Sequence, residues 1–159
     1  MVQEGYDIAQ ICENGHVANS FTQHSPNFNQ AFCQTCGTAT ITTCPSCQTP
    51  IRGGYWGSGI ARECAAPKFC INCGEAFPWT SLRIRAANDL AKELESIDDQ
   101  DRSVLEKSIG DLTKDTPSTQ AAALKFKKVM IKAGTSAASM FRDILTDVLS
   151  ETAKKILWP

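Results

Sequence analysis

"FCQTCGTATITTCPSC", residues 32–47, holds two Cys-x-x-Cys pairs with seven residues between them. Either the four thiols clasp one metal ion or they are halves of two separate sites. The choice sets the architecture of the N-terminal half. Two more pairs flank the stretch: Cys12 and His16 in "CENGH", and Cys70 and Cys73 in "CINC". A tight turn between two ligands lets both point at one tetrahedral ion. A glycine just after the second cysteine permits the left-handed backbone that closes such a knuckle. Gly37 and Gly74 stand at that place in the second and fourth pairs.

Four pairs make eight ligands, enough for two closed tetrahedral sites and hence two Zn²⁺ ions per chain. The candidate ligands are Cys12, His16, Cys33, Cys36, Cys44, Cys47, Cys70 and Cys73. Closed sites are structural in type, because a catalytic zinc keeps one position open for water. An iron–sulfur cluster or another thiophilic metal is the alternative occupant. A thioredoxin-like motif wants a βαβ setting, and none is visible.

The pairs combine in three ways: tandem (one with two, three with four), cross-braced, or nested with the seven-residue loop closing one site alone. "FCQTCGTAT" and "FCINCGEAF" match at Phe, Cys, Cys, Gly and Ala, which is an internal repeat. Pairs two and four therefore share a role, as closing knuckles of units opened by pairs one and three. The repeat favours the tandem scheme and leaves the cross-brace open. Each unit then reads as a zinc ribbon of short strands between knuckles. "TATIT", residues 38–42, reads as a strand between the two units. "GGYWGSG", residues 53–59, reads as a mobile loop tip in the second ribbon. Cys64 has no partner at knuckle spacing and reads as a non-ligand. His24 reads as a solvent-exposed residue in a polar loop.

The string "FCQTCG…CPSC…FCINCG" resembles the double zinc ribbon of bacterial and archaeal proteins. With "DIAQICENGHVANS", "TCPSCQTPIRG" and "FPWT", the chain more closely resembles a bacterial family of uncharacterised function, domain-of-unknown-function family 2321. The resemblance implies paired zinc ribbons followed by helices. It implies no activity.

All eight cysteines precede residue 74, and residues 81–159 contain no Cys, His or Tyr. The composition breaks near Pro78–Trp79. The expected fold is α+β, with a double zinc-ribbon domain at 1–79 and an all-α helical domain or oligomerisation region at 80–159. Thr80 or Ser81 is the expected cap of a first helix with Leu82, Ala86, Leu90, Leu94 and Ile97 on one face. A second helix at about 99–113 carries Leu105, Ile109 and Leu112. Thr116–Pro117 opens a third, with Leu124, Phe126, Val129, Met130 and Ile131, and Gly134 ends it. Thr135 or Ser136 opens a last long helix with Phe141, Ile144, Leu145, Val148, Leu149 and Ile156 as its stripe. The stripes fit a small bundle burying its own core.

Charge separates the functional classes. Residues 1–80 carry three basic side chains (Arg52, Arg62, Lys68) against five acidic ones. Seven thiolates with two Zn²⁺ would add a further −3. Duplex binding needs Lys and Arg against phosphates, so the zinc half is a poor nucleic-acid binder. Residues 116–159 hold seven basic and three acidic side chains, which together with Trp158 admits an anionic membrane surface as a partner of residues 135–158. No enzyme signature stands out. Eight cysteines with no basic, apolar leader suit a cytoplasmic, reducing setting. The expected role is a non-enzymatic zinc-binding protein that meets a protein partner or copies of itself. A nucleic-acid-binding regulator and a membrane-associating effector are the alternatives.

Overall fold

The computed structural model describes residues 4–159. The chain is α+β, with six short strands followed by five helices. It divides into two compact units, Met1–Ser81 and Leu82–Pro159.

The first unit contains two three-stranded antiparallel sheets. Strands β1 (Gly5–Ile8), β5 (Arg52–Gly57) and β6 (Ile60–Arg62) form one, in the order β1-β5-β6. Strands β2 (Gln10–Cys12), β3 (Val17–Asn19) and β4 (Thr40–Ile41) form the other, in the order β3-β2-β4. The chain thus crosses between sheets after Ile8, just past a shift of the β1–β5 register between Tyr6 and Ile8. The N-terminal strand completes a sheet built from the second ribbon, so the two ribbons are interlaced rather than strung in series. "TATIT" yields only the two-residue β4, which pairs with β2 through Ile11↔Ile41 and Cys12↔Thr40.

"GGYWGSG" is the central strand β5 and its turn, not a mobile tip. Tyr55 and Trp56 are good strand formers. Ser58 (φ 51°) and Gly59 (φ 73°) make a two-residue turn with both φ positive, which matches the twist of a hairpin. Gly53 is present for space: a Cβ there would lie 2.5 Å from the Ser20 carbonyl oxygen and 2.7 Å from the Ile8 carbonyl carbon. Glycine here marks a close backbone approach, not a loop.

A common core of Ala9, Ile11, Cys44, Ile51, Cys70, Phe77 and Trp79 lies beneath both sheets. Phe77 and Trp79 stack at 4.7 Å. Helix α1 (Pro78–Glu93) starts two residues earlier than the expected Thr80 cap. The Phe77 carbonyl accepts from the amides of Thr80 and Ser81, and Pro78 occupies the first helical position, where its missing N–H costs nothing. Thr80 is buried and its hydroxyl donates to the Lys68 carbonyl at 2.9 Å, so it anchors the helix to the last knuckle rather than capping it.

In the second unit, the buried face of α1 is Ala87 and Ala91 with Ile84, Leu90 and Leu94 packed alongside. The expected Leu82–Ala86 edge faces outward, because Ile84 and Ala87 take the inner positions. Helix α2 (Asp99–Leu112) is capped by Asp98, whose carboxylate accepts from the Asp101 amide at 2.8 Å. Leu105, Ile109 and Leu112 are fully buried. Helix α3 (Thr119–Ala133) begins after Thr116–Pro117 rather than on it. Thr119 accepts from the Thr116 amide and donates to the Lys114 carbonyl, which folds 116–118 into a separate turn. Of the expected α3 stripe, Phe126, Val129 and Met130 are buried, whereas Leu124 and Ile131 are exposed.

The last long helix is two helices, α4 (Thr135–Leu145) and α5 (Glu151–Leu157). Arg83 donates to the carbonyls of Asp143 and Ile144 and pairs with Asp147, satisfying the end of α4. Ser150 caps α5 by accepting from the Ala153 amide at 3.1 Å, and its own amide donates to the Leu112 carbonyl. The break lets Val148 and Leu149 turn inward beside Phe141 and Leu145, all of them nearly or fully buried. The apolar stripe of residues 135–158 therefore packs mainly into the core of its own unit. Among the described residues, no helix is long and apolar enough to cross a membrane.

Candidate metal centres

The structure gathers the ligand candidates into two groups of four: Cys12, His16, Cys33 and Cys36, and Cys44, Cys47, Cys70 and Cys73. Within each group the donor atoms all lie within 4.8 Å of one another. Cys64 belongs to neither; its Sγ lies 3.4 Å from the Ser20 hydroxyl, which also accepts from the Cys64 amide.

Local backbone explains why each pair converges. In the first group, Cys12 ends β2 and His16 sits just before β3, so one hairpin presents both. The Cys12 and Gly15 amides bond within this turn, to the His16 and Cys12 carbonyls. The other three pairs share a single knuckle. The amides of Cys33, Cys44 and Cys70 each donate to the carbonyl five residues on (Thr38, Thr49, Glu75). The amides of Gly37, Gln48 and Gly74 each donate back to the first cysteine's carbonyl. Each knuckle is closed by one further bridge, at Phe32↔Ala39, Thr43↔Pro50 and Phe69↔Ala76. The third pair was expected to open a ribbon in the manner of the first. It has the same local form as the second and fourth instead, and "CPSCQT" conceals this by having Gln48 in the glycine position.

The separations test whether a metal fits. Cys12 Sγ and Cys36 Sγ are 3.7 Å apart, Cys44 and Cys73 3.8 Å, and Cys47 and Cys70 3.7 Å. His16 Nδ1 is 3.5 Å from Cys12 Sγ and 3.6 Å from Cys33 Sγ. A disulfide needs about 2.0 Å between sulfurs, and all eight cysteines are free. A tetrahedral ion with bonds of about 2.3 Å to sulfur and about 2.0–2.1 Å to nitrogen has S···S edges near 3.8 Å and S···N edges near 3.55 Å. The observed distances are those edges. His16 would bind through Nδ1. Each group supplies four protein donors, which closes the shell.

Groups around the sulfurs prepare some of them for ionisation. Cys36 is held down to about 5, first by the Thr38 hydroxyl and then by the Asn14 amide. Cys47 is held down to about 6, first by the Thr49 hydroxyl and then by the Thr49 amide and the Asn72 side chain. The two sites thus repeat a device, an asparagine from the opposing turn (Asn14, Asn72) and a threonine two residues past the cysteine. Cys73 goes the other way. The Glu75 amide favours its thiolate, but desolvation and the neighbouring sulfurs of Cys47, Cys70 and Cys44 outweigh it and push Cys73 to about 12. Four thiolates at these separations repel, and a dication removes that repulsion while ligation supplies folding free energy.

A second polar cluster escaped the sequence reading. His24 is exposed, as expected, yet its Nδ1 lies 2.5 Å from Asp7 Oδ2 and its ring stacks on Trp56 at 5.3 Å. The Asp7 side chain is fully buried. Burial raises its carboxyl, but hydrogen bonds from the His24 ring and from the amides of Ile8, Gln23 and His24 outweigh this and hold it below its ordinary value. The cluster pins residues 22–25 to β1. Its partners are sixteen and seventeen residues apart, so no local motif marks it.

A family model described as an uncharacterized protein conserved in bacteria, domain of unknown function 2321, matches residues 5–157, and the chain belongs to that family. No curated protein and no solved structure matches the chain.

Proposed function

We propose that this family member is a non-enzymatic protein that holds two structural Zn²⁺ ions and acts by presenting a surface to a protein partner. The observation that carries the reading is the agreement of the sulfur and nitrogen separations with tetrahedral zinc edges at both sites. Thiolate-rich tetrahedral sites favour zinc over harder cations. Four protein donors per ion leave no position for a reacting water, which argues for a structural role. The negative charge of the thiolate-rich half argues against phosphate backbones and leaves protein surfaces as the natural partners.

Metal analysis by mass spectrometry of the natively purified chain tests the first part, with two Zn per chain expected. One ion or none sinks the two-site reading. Cadmium-substituted NMR couplings are expected to join Cys12, Cys33 and Cys36 to one ion and Cys44, Cys47, Cys70 and Cys73 to another. Photo-crosslinking in cells tests the second part. The wild-type chain is expected to give discrete protein adducts that a Cys33→Ser, Cys70→Ser variant loses. Adducts dominated by nucleic acid would overturn the protein-partner reading.

A further inference from the structure

Sheet β1–β5–β6 has one covered face and one that opens onto a cavity. Side chains alternate along a strand, and the register pairs Tyr6 with Tyr55, Tyr55 with Arg62, and Gly57 with Ile60. Those residues share a face; Gly54, Trp56 and Ala61 share the other. His24 stacks on Trp56, and the Phe21 ring fills the space over Gly54. The Tyr55 face instead lines a cavity of about 760 Å³, whose lining also includes Ile51, Phe69 and Ile71. That volume lies in the range of ligand-binding clefts. Tyr6, Ile60 and Ile71 are 62%, 51% and 65% exposed around it, an unusual concentration of exposed apolar side chains.

Two further features say what fits. Strand β6 is an edge strand. The Ser58–Gly59 turn closes at Gly57–Ile60, a hydrogen-bonded pair in a two-residue hairpin, so the amide and carbonyl of Ala61 point away from β5. Charge is the second feature. Arg52 and Arg62 are two of only three basic side chains in residues 1–80, and both line this cavity. The Arg52 guanidinium lies 4.7 Å over the Tyr6 ring. Glu63 also lines the cavity, and Glu4 bonds to the lining Ser58, so the two arginines stand beside two carboxylates. In a half that is otherwise negative, Arg52 and Arg62 gather here and offer a carboxylate its cationic contacts.

We propose that this cavity is the docking groove for an extended, acidic peptide segment of a partner protein. The segment adds a strand to the free edge of β6, pairing with Ala61. Its alternate apolar side chains enter between Ile60 and Ile71, and a carboxylate meets Arg52 and Arg62. The proposal names the surface and partner chemistry of the protein-interaction reading above and rests on it.

Fluorescence polarisation with the zinc-loaded full chain tests it, using labelled nonapeptides that alternate Val with Glu, Gln or Lys. The Glu peptide is expected to bind about tenfold more tightly than the Gln peptide, and the Lys peptide more weakly still. The Arg52→Glu, Arg62→Glu variant, checked to retain its metal, is expected to reverse the order of Glu and Lys. Ile60→Asp is expected to weaken all three. N-methylation of the central amides of the Glu peptide is expected to cost about tenfold, because it removes strand pairing. Equal binding of the Glu peptide to wild type and the arginine variant overturns the proposal, as does tighter binding of a labelled uridine dodecamer. Absence of peptide binding by a chain that holds two zinc ions and gives crosslinked partners removes the groove and leaves the interaction reading standing. A chain that holds two ions and gives no protein adduct removes both.

Discussion

The two units are nearly equal in length and are held together differently. Among the described residues, Met1–Ser81 buries seven side chains in its apolar core, and two of those are the candidate ligands Cys44 and Cys70. Leu82–Pro159 buries seventeen, drawn from all five helices and from the turns that hold Ile97, Val148 and Leu149. A short chain that buries so little cannot offset its conformational entropy by the hydrophobic effect alone. The first unit has two clusters suited to metal ligation where the second has core. Local backbone follows the same division. Three knuckles repeat one six-residue hydrogen-bond pattern around sulfur in the first unit, and caps and packed stripes order the helices in the second.

Metal removal tests the comparison hardest. Structural zinc supplies on the order of 10 kcal/mol per site, so a strong chelator is expected to unfold residues 4–81 while the helical circular dichroism persists. Loss of the helical signal at the same chelator concentration would break the distinction between the units. Metal affinity is expected to fall steadily as pH drops, because protons compete with the ion for every thiolate; Cys73 takes one up most readily, and Cys36 at about 5 and Cys47 at about 6 are among the last. The converse experiment is a core deletion. Phe141 is fully buried and meets Phe126 edge-on at 5.5 Å. Phe141→Ala is expected to cost the helical unit about 3–5 kcal/mol in urea unfolding and to leave metal content at two.

What the sequence makes legible follows the same line. Knuckles are local, so the four ligand pairs are readable from spacing; the Phe–Cys–x–x–Cys–Gly repeat favours joining Cys12 and His16 to Cys33 and Cys36 but leaves the cross-brace open. Caps are local too: Asp98 and Gly134 bound their helices as their residue types suggest. Ser150 carries an equally local signal, but the apolar stripe running through residues 141–156 masks it. Long-range contacts are where reading fails. Gly53 and Gly54 look like a loop because the atoms that require them, in Ile8, Ser20 and Phe21, are more than thirty residues away. His24 is exposed as read, but its bond to Asp7 is hidden because that partner belongs to another element.

Asp7 offers a smaller test, since it stabilises the first unit by hydrogen bonds rather than by metal. Its carboxylate accepts from three amides and from His24. Asp7→Asn is expected to cost about 1–3 kcal/mol at neutral pH. The sign of its pH dependence is set by the lowered folded-state value. The contribution is complete above the ordinary value of 3.8 and is lost as pH falls through the lower folded one. Wild type and variant, compared by urea unfolding at pH 7 with full metal loading, should therefore show that contribution in full. A variant as stable as wild type would show that the carboxylate is not held in its charged form.

The smallest effect lies inside the knuckles themselves. Gln48 has φ 61°, where Gly37 and Gly74 have 73° and 77°. A left-handed backbone costs a residue with a Cβ about 1–2 kcal/mol, and Gln48 recovers part of that. Its amide donates to the Pro45 carbonyl, and its oxygen accepts from the Thr43 hydroxyl, both at 3.3 Å and both exposed. Exposed bonds of that length are weak. Gln48→Gly should therefore raise the stability of the metal-loaded unit by up to about 1 kcal/mol, and Gly37→Gln should lower it by a similar amount. The pair of substitutions sharpens the comparison, because both act on backbone strain and neither touches a donor atom. A loss on Gln48→Gly would mean that the side-chain bonds of Gln48, not the shared backbone pattern, close the third knuckle.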